Sequence, residues 1–177
     1  MSSTTPQVAD AETPEEKLGA PRVRVLLTMV DDADIDAALA VVQRQAYEPA
    51  PEIVVVGGER DGILSAATLE EAIASTESTF EYLWLLHADA RPRPDALAAL
   101  VAEVERNEAA LAGSKLLRAG SQDELESVGG ATDVFGEPYS GIDVGEIDLE
   151  QYDVVREVAF VQSASMLVRR DIAQGLR

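Results

Sequence analysis

Three runs of nearly continuous apolar residues mark the first half of the chain, at residues 23–28, 53–56 and 82–86. Each run is rich in β-branched or aliphatic side chains and has the length of a strand rather than of a helix. None shows the strict alternation of apolar and polar residues that is typical of a strand with one solvated face. Continuous apolar strands are typical of a parallel sheet that is covered on both faces, so these runs predict such a sheet.

The segments between these runs have the periodicity of helices. Residues 35–46 and the residues after Pro94 carry apolar side chains at intervals of three and four, which places them on one helical face. The two sets are Ile35, Ala38, Leu39, Val42 and Ala46, and Leu97, Leu100, Val101 and Val104. Asp32 or Asp34 is the predicted cap of the first helix. Residues 68–71 have the pattern of a capping box, which predicts another, short helix.

The second half of the chain is less regular. Residues 111–117 and 158–168 predict two further strands, and Asp171 begins a predicted last helix. Residues 118–150 are interrupted by glycines and Pro138, and they predict a loop region with one short strand pair. The alternation of strands and helices predicts an α/β fold with a mostly parallel sheet, right-handed crossovers and helices on both faces.

Composition narrows the classes of function. The 177 residues suffice for one domain, and an apolar content of 46% is typical of a globular protein. The absence of Cys excludes disulfides and thiolate metal sites, and it favours a reducing compartment such as the cytoplasm. A formal net charge of −19 argues against nucleic acid and anionic lipid as direct partners, because both are negatively charged.

Composition also predicts how the chain is organised. Residues 1–21 are rich in Ser, Thr, Pro, Asp and Glu and predict a disordered acidic tail, whereas residues 22–177 form the predicted domain. No apolar run approaches the ~20 residues of a membrane-spanning helix. The N-terminal residues lack the apolar core of a signal peptide. The sequence therefore predicts no membrane span in this chain.

The end of the third apolar run is the most informative position. The run stops at His87 and Asp89, and the carboxyl ends of strands form the ligand-binding edge of open α/β sheets. A carboxylate suits Mg²⁺ or Mn²⁺, and imidazole suits Mn²⁺ better, so the pair is a candidate cation site. The residue types leave open a His satisfied by backbone groups and an Asp that caps the next turn. Arg91 and Arg93 beside them either neutralise a phosphate or pair with the acidic surface.

The ends of the other two runs add further candidates. Three carboxylates follow the first run and either contact a nucleotide sugar or base, or cap a helix: Asp31, Asp32 and Asp34. Gly57 and Gly58 follow the second run and permit a close approach of the backbone to a ligand. The sequence contains no G-x-G-x-x-G or G-K-[ST] phosphate loop, no G-x-S-x-G elbow and no Cys nucleophile. Those classes of enzyme therefore lose support.

The order of these segments resembles glycosyltransferase family 2, whose catalytic domain has the GT-A fold. The similarity extends from about residue 22 to residue 177 and depends on order and spacing rather than on a single motif. The similar segments are residues 23–31, 38–47, 53–62, 82–94, 129–153 and 160–170, the last two resembling an actinobacterial-type subgroup. Residues 82–94 look like the strand with the family's D-x-D motif, in which His87 replaces the first Asp and Asp89 is the second.

The resemblance implies a function for the strand ends. It implies an inverting, metal-dependent transfer of a sugar from a nucleotide-diphosphate sugar to an acceptor hydroxyl, in cell-envelope polysaccharide or glycolipid synthesis. The acceptor is expected to be a saccharide or to be lipid-linked, and the cofactor to be Mn²⁺ or Mg²⁺. The implied donor-binding residues are Thr28, Met29, Asp31, Gly57, Gly58, Ala88 and Asp89, and Asp89 with His87 is expected to hold the cation.

The resemblance also implies a larger enzyme. The family's acceptor segment and catalytic carboxylates would lie beyond Arg177, so the chain is expected to be a donor-binding part that is truncated at its C-terminus. No catalytic residue is assigned. As part of a longer protein, the domain is expected in the cytoplasm or at the cytoplasmic face of the membrane.

Two other hypotheses remain open at this point. The first is a non-catalytic domain that binds a nucleotide sugar or serves in assembly. The second is a receiver-like signalling domain, in which Asp31, Asp32 and Asp89 would form an acidic pocket together with Lys115.

Overall fold

A computed structural model describes residues 19–30 and 33–175 and shows a mixed α/β fold around a six-stranded sheet. The predicted tail falls outside the described residues up to residue 18, as do Asp31 and Asp32. The strands are β1 Val23–Thr28, β2 Glu52–Val56, β3 Leu64–Ala66, β4 Tyr82–His87, β5 Leu111–Gly113, β6 Leu116–Leu117, β7 Leu125–Ser127, β8 Ala131–Thr132, β9 Pro138–Tyr139 and β10 Ser165–Arg169. The helices are α1 Ile35–Gln43, α2 Leu69–Ala74, α3 Ala96–Asn107 and α4 Arg170–Gly175.

The main sheet has the strand order β3-β2-β1-β4-β10-β5. Strands β3, β2, β1 and β4 are parallel to one another. Only β10 runs in the opposite direction, and it pairs with both β4 and β5. The prediction of a mostly parallel sheet is confirmed.

Helices cover both faces of this sheet. Alternate residues of each strand point to opposite sides, so each face packs against its own helices. On one face Leu27 and Trp84 pack into a core cluster with the apolar residues of α1 and α3. On the other face Leu26 and Leu83 pack with Ala72 of α2 and with Ala173 of α4. The sheet is therefore buried between two helical layers, as the continuous apolar strands predict.

The first helix is capped as predicted but is shorter. The Asp34 carboxylate accepts hydrogen bonds from two backbone N–H groups of the first turn of α1, at 3.0 and 3.2 Å. The helix ends at Gln43 rather than at residue 46. The reason is a tertiary contact: the Ala46 N–H donates to the Pro94 carbonyl oxygen at 2.7 Å and joins the end of α1 to the segment before α3.

The predicted strands of the second half are partly wrong. Residues 111–117 form β5 and β6, which belong to different sheets, and the predicted strand 158–168 begins only at Ser165. The residues before Ser165 do not form a strand; Phe160 and Val161 instead lie against two glycines, Gly130 and Gly113. The Gly130 N–H donates to the Phe160 carbonyl oxygen at 3.0 Å, and a Cβ at Gly113 would lie 2.4 Å from the Cβ of Val161. Strand β3 has only three residues and was not predicted.

Candidate functional site

The ends of β2, β1 and β4 lie side by side at the carboxyl edge of the sheet. Thr28, the last residue of β1, is paired with Val56 on one side and with His87 on the other. The backbone extends this alignment beyond the strands. The Met29 N–H donates to the Val56 carbonyl oxygen at 2.9 Å, and the Ala88 N–H donates to the Thr28 carbonyl oxygen at 2.9 Å. The predicted segments 28–29, 57–58 and 87–89 are thus brought together.

This edge includes the topological switch point of the sheet. From β1 the chain proceeds to β2 and β3 on one side and then returns to place β4 on the other side of β1. Open α/β sheets bind ligands in the crevice outside the carboxyl ends of strands where the order reverses in this way. Thr28 and His87 border that crevice. The fold therefore places the residues singled out from the sequence where a ligand site is expected.

The two glycines after β2 have different structural requirements. Gly57 has a φ of +76°, a conformation that favours glycine, and it is exposed. Gly58 packs against Met29, since a Cβ at this position would lie 2.8 Å from the Met29 Cγ. Packing accounts for Gly58 without a ligand. Gly57 forms the open rim of the edge.

His87 is held by the strand that pairs with β4. Its backbone N–H donates to the Ala164 carbonyl oxygen at 3.1 Å. Its side chain is half-buried, and its Nε2 lies 3.4 Å from the Oγ of Ser163. With Nε2 engaged by the serine hydroxyl, Nδ1 is the ring nitrogen left for a ligand. This arrangement has the form in which a second group orients a metal-binding histidine.

Asp89 lies in the turn after β4, with its side chain exposed. Within residues 19–30 and 33–175, no donor or cation bonds to its carboxylate, and α3 has Asp95 at its N-cap. The alternative in which Asp89 caps the next turn is therefore wrong for the described residues, because its carboxylate accepts no hydrogen bond there. Ala88, between His87 and Asp89, is fully buried and fixes this part of the turn in the core. The carboxylate is accessible to a ligand.

Two arginines follow Asp89. Arg91 folds back, and its Nη1 donates to the carbonyl oxygens of Ala88 (3.1 Å) and Ala90 (2.8 Å). Arg93 lies 3.8 Å from the Asp95 carboxylate and is mostly exposed. The guanidinium of Arg91 is thus anchored beside the turn of Asp89, whereas Arg93 is paired with the acidic surface.

Ser163 and Ala164 belong to this edge although sequence reasoning missed them. They arrive there because β10 is antiparallel, so that its first residue, Ser165, pairs with Leu86 at the end of β4. Ser165 Oγ accepts from the Trp84 Nε1–H at 3.2 Å, which fixes this serine-rich segment to the core. The polar residues Gln162, Ser163 and Ser165 before an apolar run are a signal for a strand start, but the sequence does not give the direction of the strand.

Residues 114–164, which we call the excursion, leave the main sheet at this edge and return to it at the same edge. Strand β5 is parallel to β4, because both are antiparallel to β10, so its end at Gly113 and the start of β10 lie at the carboxyl edge. This excursion carries two small sheets, β6–β7 and β8–β9. The predicted loop region 118–150 contains one complete strand pair, β8–β9, as predicted, and also β7, whose partner β6 lies just before the region.

Lys115 joins the start of the excursion to residues near its end by two ion pairs. Its ammonium lies 2.6 Å from the Asp148 carboxylate and also contacts that of Asp153. Burial favours a lower pKa for Lys115, but the hydrogen bonds to Asp148 and Asp153 outweigh it and raise the pKa. The hydrogen bond from Lys115 lowers the pKa of Asp148. Lys115 therefore does not meet Asp89 in an acidic pocket, and the receiver-like hypothesis loses its basis.

We expect Lys115→Met to loosen residues 146–153, with amide exchange faster by up to about fivefold, the range of an ion pair near the protein surface. A depressed carboxyl pKa contributes stability above its ordinary value, 3.8, and loses it as pH falls through the folded pKa. A raised lysine pKa contributes below 10.5 and loses it as pH rises through the folded pKa. Both contributions are present at neutral pH. Hydrogen exchange with mass analysis at neutral pH should therefore show faster exchange of residues 146–153 in Lys115→Met than in the unmodified protein.

The matched control is Arg106→Met, which removes an ion pair with Glu103 on α3. It should leave exchange at residues 146–153 unchanged. Equal exchange in Lys115→Met and in the unmodified protein at neutral pH would contradict the assigned role of Lys115.

Over residues 19–30 and 33–175, no three or more His, Asp or Glu side chains converge as a metal-binding group. A cation at His87 and Asp89 would thus need further oxygen ligands from a bound molecule.

None of the helices within residues 19–30 and 33–175 is long and apolar enough to cross a membrane. Neither a protein-family model nor a curated protein matches the chain.

Proposed function

We propose that the carboxyl edge of β2, β1 and β4 binds a nucleotide-diphosphate sugar, the donor for an inverting, GT-A-like glycosyltransferase. The observation that carries the proposal is the convergence of residues 28–29, 57–58 and 87–89 at the topological switch point. The exposed Asp89 carboxylate supports it, because it has no bonded partner among residues 19–30 and 33–175.

The donor set at His87 and Asp89 fits a divalent cation. One imidazole and one carboxylate suit Mn²⁺ better than Mg²⁺, and the remaining ligands would be diphosphate oxygens and water. When bound, the cation would offset the charge that develops on the nucleotide-diphosphate leaving group. Ser163 would orient the His87 ring. Asp89 would present its carboxylate from a turn that is fixed by the buried Ala88, the residue before it.

The other residues of the edge would position the donor. Met29 and Gly57 would border the nucleoside, with Asp31 as a further proposed contact that lies outside the described residues. Arg91 would place positive charge near the diphosphate in a protein of net charge −19. In the transfer, an acceptor hydroxyl would attack the anomeric carbon from the side opposite the leaving group and lose its proton to a base. We assign no residue of this chain as that base.

We expect UDP- or GDP-sugars to bind in the presence of Mn²⁺, and Asp89→Ala to weaken this binding at least about tenfold through loss of a carboxylate ligand. Isothermal calorimetry with and without Mn²⁺ measures the effect. Glu77→Ala is a matched control, because it removes an exposed carboxylate from the turn before β4, at the opposite edge of the sheet.

Absence of donor binding in the unmodified protein, or equal binding in Asp89→Ala, would overturn the donor site. A further assay separates an enzyme from a binding domain at the same site. Release of the nucleoside diphosphate from the donor, by transfer or by hydrolysis, would support a glycosyltransferase. Donor binding without either reaction would favour the non-catalytic alternative.

A further inference from the structure

The excursion after β5 carries an acidic stretch, residues 119–155, which is bordered by Lys115, Arg118 and Arg156. Between Arg118 and Arg156 the sequence has no Lys, Arg or His, whereas Asp and Glu recur throughout. Some of these carboxylates are engaged within the excursion, such as Asp148 with Lys115. Over residues 19–30 and 33–175, no ion pair engages Glu137, Asp143 or Glu150. The segment therefore presents unneutralised negative charge.

The same segment exposes large apolar side chains. Val134 is 93% exposed and Phe135 89% exposed at the turn of the β8–β9 hairpin, and Val144 is fully exposed in the loop that follows. Leu149 and Val154, farther along this loop, are also mostly exposed. Large apolar side chains exposed to this degree along one stretch of chain favour a site of protein interaction. We call residues 133–155 the acidic apolar surface.

Hydrogen bonds hold this surface in a defined conformation. The Asp133 carboxylate accepts from the N–H groups of Phe135 (2.8 Å) and Glu137 (3.0 Å), which fixes the hairpin turn. The Glu146 carboxylate accepts from the Asp143 N–H at 2.8 Å and from the Tyr152 hydroxyl at 2.9 Å, which closes the following loop. The apolar side chains are thus presented by ordered backbone, so binding would require little further ordering.

Charge decides among the partners that such a surface can bind. A second copy would bring the same carboxylates against one another, and anionic lipid or nucleic acid would be repelled. A cationic partner gains attraction from the carboxylates and buries the apolar side chains. We propose that the acidic apolar surface docks a cationic amphipathic segment of a partner protein, with Phe135 and Val144 as apolar anchors. This inference does not depend on donor binding.

We expect the full chain to bind a fluorescein-labelled Leu/Lys peptide of about 18 residues with helical amphipathic spacing, measured by fluorescence anisotropy without nucleotide sugar or metal. The double variant Phe135→Ser/Val144→Ser should weaken binding roughly tenfold or more, because it removes the apolar anchors. The variant Asp143→Asn/Glu150→Gln should weaken binding about threefold to tenfold at low salt and less at high salt.

Matched controls separate this surface from the general acidity of the protein. Leu64→Ser removes a half-exposed apolar side chain from β3, at the other end of the sheet, and should leave affinity unchanged. Glu70→Gln/Glu77→Gln removes two exposed carboxylates near α2 and should have less effect than Asp143→Asn/Glu150→Gln. Circular dichroism should show that each variant is folded.

Three outcomes would overturn the proposal. The first is equal binding of a scrambled peptide with the same composition, which would mean attraction by charge alone. The second is unchanged binding in Phe135→Ser/Val144→Ser. The third is a concentration-dependent dimer in sedimentation velocity that Phe135→Ser abolishes, which would make a second copy the occupant.

Discussion

Truncation of Trp84 to alanine is expected to lower the free energy of unfolding by about 3–5 kcal/mol, the range for a large buried aromatic side chain. Trp84 is fully buried at the centre of β4, between Val25 of β1 and Leu167 of β10. Its removal would leave a cavity under α1 and α3 and would also leave the Ser165 hydroxyl without the indole donor. Chemical denaturation followed by far-ultraviolet circular dichroism is the suitable measurement, since the chain has a single Trp.

Trp84→Phe is the matched control, because it keeps most of the apolar volume and removes the Nε1–H. Ser165 Oγ retains the Ser114 hydroxyl at 2.8 Å as a partner, so this variant should lose only about 1–2 kcal/mol. A loss below about 1 kcal/mol in Trp84→Ala would contradict the position of Trp84 at the centre of the core.

Trp84 also illustrates which parts of the fold are predictable from sequence. Apolar strands buried on both faces leave a continuous run, so β1, β2 and β4 are recognised within a residue or two. The helical face of Leu97 to Val104 and the cap at Asp34 are equally local signals, and both are confirmed. Strand β3 escapes prediction because three residues are too few for a pattern, and it forms only by pairing with β2.

The candidate site was predictable to the same extent. Asp89 and His87 stand out because they interrupt an apolar run, and the register with Thr28 then places them beside the end of β1. Ser163 could not be found in this way, since its position depends on the antiparallel pairing of β10 with β4. That pairing is non-local and leaves no trace in spacing. The direction of β10 thus determines which side chain orients His87.

Gly113→Val is expected to destabilise the protein by about 3 kcal/mol, at the upper end of the cost of overpacking a close contact. A Cβ at this position would lie 2.4 Å from the Cβ of Val161 and less than 3 Å from both of its γ carbons. A β-branched side chain cannot avoid such a contact by changing only its outer atoms, so the backbone near Val161 must move. Ser163 lies two residues farther along, so its contact with His87 should be lost as well.

The measurement is chemical denaturation followed by the fluorescence of Trp84, the single Trp. Gly175→Ala is a matched control, because a Cβ at Gly175 meets no atom within 4 Å, and it should change the unfolding free energy by less than about 0.5 kcal/mol. The size swap Gly113→Val/Val161→Gly should recover part of the loss, because it removes the colliding side chain. Stability of Gly113→Val within about 0.5 kcal/mol of the unmodified protein would mean that Val161 does not lie against β5. Recovery of unfolding free energy by the size swap would show that Val161 packs against Gly113. This contact joins the excursion, which includes Ser163, to the carboxyl edge of the sheet.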